Sequence, residues 1–199
     1  MKRRFLKRRF FLATSLLGGC SVLPERPYAA RRDWPMQVVR TAILPPPRNG
    51  RTLLLRPLSA APGLEERGLH ALQPDGSMAV DFYEQWVAPP ALALEQVLRQ
   101  WLEASGKFTA VLAPGSRLTA DFVLEGELTA LWVRASNAEA ALAITVLDQR
   151  GSTTRVRAQS ALTATAPLTA IGPAAQVAAQ CRALTDICTQ VEAVLAPIG

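Results

Sequence analysis

The chain has 199 residues, with 22 Lys and Arg against 16 Asp and Glu and a formal net charge of +6. Six of the basic residues and none of the acidic ones lie within residues 1–19, so a chain cut after Gly19 keeps sixteen of each sign and is formally neutral. A charge that leaves with a processing signal is no footprint for nucleic acid or a polybasic membrane patch, and the roughly 180 residues left suffice for one domain with a real core.

Residues 1–19 read as a lipoprotein signal peptide. Lys2, Arg3, Arg4, Lys7, Arg8 and Arg9 make a basic start, and Phe10 to Leu17 make an apolar run of only eight residues, too short to span a bilayer. Leu17-Gly18-Gly19 then sets small residues directly before Cys20. The expectation is cleavage between Gly19 and Cys20, with Cys20 becoming the lipidated first residue and palmitate among its acyl chains. The alternative for Cys20 is an ordinary cysteine of a secretory peptide. Arg8-Arg9-Phe10-Phe11-Leu12 resembles a twin-arginine export motif, which leaves general secretion and twin-arginine export both open.

Residues 20–50 read as a tether, because Pro24, Pro27, Pro35, Pro45, Pro46 and Pro47 prevent a long helix. Arg31, Arg32 and Asp33 are expected as solvated charges, and Gln37 to Leu44 as a short edge strand. The folded domain is expected over 51–199. Thr52 to Leu55 is a compact apolar strand ended by Pro57, and Gly68 to Gln73 and Met78 to Trp86 form a hairpin around Pro74-Asp75-Gly76-Ser77. Pro89-Pro90 opens a helix on which Leu94, Val97, Leu98, Trp101 and Leu102 recur at helical spacing, and Gly106 stops it. After a short strand at Phe108 to Leu112, Asp121 to Val133 alternates Phe122, Leu124, Leu128, Ala130 and Trp132 against Asp121, Glu125, Glu127 and Thr129. Ala140 to Asp148 and Thr154 to Thr165 complete an antiparallel meander, and Ala174 to Ala196 is a terminal helix. Together these elements predict an α+β fold: a two-layer domain, an antiparallel sheet with two helices packed on one face.

Cys181 and Cys188 lie on the apolar stripe of the terminal helix. Seven helical residues separate their Cα atoms by roughly 10 Å, beyond the reach of a disulfide, so both are expected as buried thiols. The inventory for catalysis is poor. His70 is the one histidine and is expected as a partly exposed structural residue, no third ligand joins the two thiols to hold a metal, and Glu125 and Glu127 read as a solvated strand face. No catalytic residue, metal site or cofactor is assigned. Phe82, Tyr83, Trp86 and Trp101 surround the start of the first helix; Tyr83 and Trp86 are the candidates for partner or lipid contact, with core packing as the competing role for Trp86.

Thr52-Leu53-Leu54-Leu55-Arg56-Pro57, Ala61-Pro62-Gly63-Leu64, Phe82-Tyr83-Glu84-Gln85-Trp86 and Pro89-Pro90-Ala91, followed by Ser105 to Val111 and Ala120 to Leu128, resemble in order and spacing the ABC-type transport auxiliary lipoprotein family. Ser136-Asn137 departs from it, since relatives often carry a longer connection there. The resemblance implies a non-catalytic component on the periplasmic side, working with an MCE-domain (mammalian cell entry) protein and an ABC permease and ATPase to move lipids between inner and outer membranes. It further implies a membrane anchor at Cys20 and no nucleic-acid partner. Ser21, where inner-membrane retention would usually place Asp, implies sorting to the periplasmic face of the outer membrane. The small and apolar residues of the meander are a candidate surface for a phospholipid or for self-association into a homo-oligomer. Two other readings stand beside this one: an envelope assembly or secretion lipoprotein, as in lipopolysaccharide export, and a lipid-modifying hydrolase.

Overall fold

A single long strand, β7 (Phe122–Arg134), organises the sheet because it is hydrogen-bonded along both edges. The structure is a computed structural model that describes residues 29–199; the signal peptide, the Gly19–Cys20 cleavage site and Cys20 itself lie outside the described residues. On one edge of β7 runs β8 (Asn137–Asp148), antiparallel over its whole length, and β9 (Arg155–Pro167) pairs antiparallel with β8. The other edge is lined in succession by β2 (Thr52–Leu55), β3 (Ser59–Ala60) and β4 (Gly68–Leu72), all parallel to it, with Leu53 opposite Phe122, Ala60 opposite Leu128 and Ala71 opposite Val133. Beyond β2 the sheet continues with β6 (Ala110–Leu112), and beyond β4 with β5 (Met78–Trp86) and β1 (Arg32–Trp34).

Two helices cover one face. α1 (Pro90–Ala104) starts at a proline that needs no intrahelical N–H partner, and it buries Leu94, Leu98, Trp101 and Leu102. α2 (Pro173–Leu195) buries Val177, Leu184, Ile187, Cys188 and Val191 against β8 and β9. These stripes meet Leu124, Leu128, Leu142, Ile144 and Val146 in one core that joins both helices to the sheet. The α+β class and the two-layer arrangement are those expected. The sheet is antiparallel through β4–β5 and β7–β8–β9, but the segments that line the second edge of β7 join it in parallel.

Two expectations are corrected. The period of β7 breaks at Thr129, where Leu128 faces Leu142 and Ala130 already faces Ala141. This bulge advances the strand by one residue, so Leu131 and Val133 turn to the core, and Trp132 moves to the opposite face, where its Nε1 donates to Glu139 at 2.9 Å. The second correction concerns residues 31–50. The strand in this stretch is Arg32–Trp34, paired with β5, and Gln37 to Leu44 is an extended strap without strand pairing. The strap is held by the C-terminal end of α1: the Leu44 N–H bonds the Ala104 carbonyl at 2.9 Å, one of the helix-end acceptors that lack an intrahelical donor. Gly106 follows at φ +65°, and a Cβ there would lie 2.6 Å from Leu44 Cβ, so the helix stop and the docking of the strap depend on the same glycine. The compact unit therefore begins at Arg31.

Candidate interaction surfaces

Among the described residues, several ionisable side chains that a catalyst could use are occupied structurally. His70 is buried, not partly exposed, and its Nε2 lies 2.9 Å from the Gly63 carbonyl. Glu125 pairs with Arg56, and Glu84, although buried, receives Arg32 Nε at 2.8 Å and Trp34 Nε1 at 2.7 Å. Among the described residues, no three His, Cys, Asp or Glu side chains are grouped to hold a metal. Cys181 and Cys188 are buried free thiols; burial raises both, and pushes Cys188 up to about 12.

Glu192 ties three elements together. Its Oε2 accepts Trp101 Nε1 of α1 at 2.9 Å and Arg40 Nε of the strap at 3.1 Å, while Oε1 accepts Arg40 Nη2 at 3.2 Å. Burial opposes ionisation of this carboxyl, but the hydrogen bonds from Arg40 and Trp101 and the Arg40 charge outweigh it and hold the group below its ordinary range.

Two surfaces among the described residues bear on binding. The first is a shallow groove of about 540 Å³ on the sheet, lined by Ser59, Glu125 and Glu127 with the small side chains of Ala143 and Ala161. Glu125 and Glu127 thus share a face, as their alternation predicts, and the groove lies on the meander, where the sequence offers a surface for a phospholipid or a second copy without specifying its face.

The second surface is built by an irregularity between β4 and β5. Gly68 faces Gln85, yet His70 faces Val80, so two steps along β4 correspond to five along β5. The chain between Val80 and Gln85 bulges outward at Phe82 and Tyr83, and Asp81 Oδ1 shapes the bulge by accepting the N–H groups of Tyr83 at 2.8 Å and Glu84 at 3.0 Å. Gly68 makes room for it, since a Cβ would sit 2.4 Å from Val80 Cγ1 and 2.5 Å from the Asp81 carbonyl. Phe82 and Tyr83, carried on the bulge, are 65% and 47% exposed and contact each other edge to face with centroids 5.2 Å apart. Of the two expected contact residues, Tyr83 is therefore at the surface. Trp86 is not: at 1% exposure it fills the core, because β5 returns to regular pairing at Gln85 and turns it inward. Asp81, a hydrophilic residue, creates the aromatic display, which is why hydrophobic patterning alone does not reveal it.

A family model described as ABC-type transport auxiliary lipoprotein component matches residues 36–192. No curated protein matches the chain. Among solved structures, a DUF330 protein from Xanthomonas campestris is 24% identical, with a TM-score of 0.66 over 79% of this chain and 91% of that one. An uncharacterized protein, 11% identical, also reaches a TM-score of 0.66, over 81% and 96% of the two chains. A hypothetical protein from Chlamydia trachomatis, 14% identical, has a TM-score of 0.51 over 74% of this chain and 99% of that one. At these identities the likeness establishes a shared fold.

Proposed function

Since the chain belongs to the ABC-type transport auxiliary lipoprotein component family, we propose that it is the lipid-anchored, non-catalytic auxiliary component of an MCE-type ABC transporter moving lipids between inner and outer membranes. The family match over residues 36–192 is the observation that carries this reading. The structural engagement of His70, Glu84, Glu125 and Glu192 supports a binding role over chemistry, since each is committed to holding backbone or neighbouring side chains.

In this reading, Cys20 carries the lipid, Ser21 directs the protein to the periplasmic face of the outer membrane, and the domain from Arg31 onward meets the MCE protein. The groove on the sheet is the surface left for a phospholipid or for self-association. Affinity recovery of the tagged full-length protein from detergent-solubilised envelopes tests the assignment. Co-recovery of an MCE-domain protein with its permease and ATPase is expected; a large barrel protein recovered without them would replace this reading by envelope assembly. Intact mass should show Cys20 as an acylated first residue, and density fractionation should place the protein with the outer membrane. An unmodified Cys20 or an inner-membrane position would overturn the corresponding part.

A further inference from the structure

We propose that the Asp81–Glu84 bulge is a membrane-contact site: Phe82 and Tyr83 rest in the headgroup region of the bilayer that holds the Cys20 lipid, and so orient the domain on that surface. The proposal rests on the lipid anchor assigned above. Its carrying observation is a juxtaposition of the bulge with the place where the chain joins the domain. Arg31 is the first residue of the compact unit, and its guanidinium lies 4.6 Å over the ring of Phe82. Arg32, the next residue, starts β1 and pairs with Glu84 at the other end of the bulge. Anything attached to Cys20 is thus attached, eleven residues away, beside Phe82 and Tyr83. Eleven residues reach at most about 40 Å even when fully extended.

The chemistry of the patch suits an interface more than the interior of a protein complex. Aromatic rings that combine an apolar body with a polar rim settle at the headgroup level, and Tyr83 supplies a phenol there. Met78 and Val80, on the same strand toward the hairpin tip, are 39% and 42% exposed and extend the apolar surface. Arg31 adds a cation suited to lipid phosphate. The acidic groups nearby are engaged: Glu84 by Arg32 and Trp34, Asp33 by Arg67 at 2.9 Å, and Asp81 by the backbone N–H groups of its own bulge. An aromatic pair held outward by a shaped bulge, with the glycine that bulge requires, is a constructed display and not an incidental exposed side chain.

The test uses the full-length lipidated protein with single cysteines at Phe82→Cys, Tyr83→Cys and, as a control, Leu118→Cys. Leu118 is equally apolar and 66% exposed, but it precedes the start of β7, whereas β4 and the hairpin join at its far end. Cys181 and Cys188 are buried and stay unlabelled in the folded protein, so a maleimide carrying an environment-sensitive fluorophore reports the introduced site. In vesicles of phosphatidylethanolamine and phosphatidylglycerol, the labels at 82 and 83 should shift to the blue and lose emission when the vesicles contain a headgroup-level spin-labelled lipid, while the label at 118 does neither.

Labels at 82 and 83 that behave like the one at 118, in a protein whose intact mass shows the lipid and which floats with the vesicles, would overturn the membrane contact and leave the anchor standing. A mass without lipid on Cys20 would remove the anchor and this proposal with it. Shielding that appears only on adding a protein partner, without quenching by the lipid, would assign the patch to that partner and overturn the proposal. Circular dichroism identical to the parent protein qualifies each variant, and Tyr83→Cys serves alone if Phe82→Cys fails to fold.

Discussion

Gln180 is fully buried on α2, and neither its Nε2 nor its Oε1 has a hydrogen-bond partner among the described residues. A buried amide without partners costs about 1–3 kcal/mol, so Gln180→Met, which keeps the length and volume of the side chain, should stabilise the protein by about that amount. Urea unfolding measures it; a loss of stability would mean that the amide holds a water or another polar contact in solution. The two thiols of the same helix give a second expectation. With Cys188 pushed up to about 12 by burial, roughly one thiol in ten thousand is ionised at pH 8. Iodoacetamide should therefore leave Cys181 and Cys188 unmodified in the native protein and alkylate both in denaturant, and oxidants should not link them, since their helical spacing of roughly 10 Å forbids a bridge. Rapid alkylation of the native protein would show that α2 opens locally.

The strap is the element whose attachment depends most directly on charge. Glu192 has an ordinary value of 4.5 and a depressed value when folded, so the tie to Arg40 is complete above about pH 4.5 and is lost as the pH falls through the folded value. Protection of the amides over residues 37–44, measured as exchange relative to the intrinsic rate at each pH, should accordingly fall on acidification before that of the meander. Arg40→Ala should produce the same exposure at neutral pH, at a cost of about 1.5–3 kcal/mol for a charge-assisted hydrogen bond. Slow exchange in Arg40→Ala at neutral pH would show that Leu44 and Val38 hold the strap unaided.

This element also marks where sequence reading stops. The helices and the β7–β9 meander are legible because their apolar residues recur at helical or alternating spacing, as in Leu94, Leu98 and Trp101 or in Leu124, Leu142 and Ile144. The strap has no period: its bonds run from Leu44 to Ala104 and from Arg40 to Glu192, partners distant in sequence. The parallel alignment of β2, β3 and β4 on β7 is hidden for the same reason, since no turn joins the paired segments. At the candidate site, Tyr83 is legible as one of the aromatic residues around the start of the first helix. The side chain of Asp81, which holds it outward and lets Trp86 return to the core, left no hydrophobic signature.

At the scale of the molecule, these contacts belong to a compact unit that runs from Arg31 to Gly199, and we propose that it unfolds as one. A chain beginning at Arg31 keeps the β1 pairing, the Glu84 cluster, buried Val38 and the Arg40–Glu192 tie, so it should unfold in one transition at the temperature of the mature protein. A chain beginning at Arg51 loses all of them. Glu84 then remains on β5 without its Arg32 and Trp34 donors, and loss of a charge-assisted hydrogen bond costs about 1.5–3 kcal/mol. For a domain of this size, with roughly 2–4 °C lost per kcal/mol, the melting temperature should drop by at least about 3 °C. Equal melting temperatures for the two truncations would mean that the first strand and the strap contribute nothing to the fold. The contact surface at Phe82 would then be joined to the anchor by a segment free to swing, and no longer by one fastened to β5 through Arg32 and Glu84.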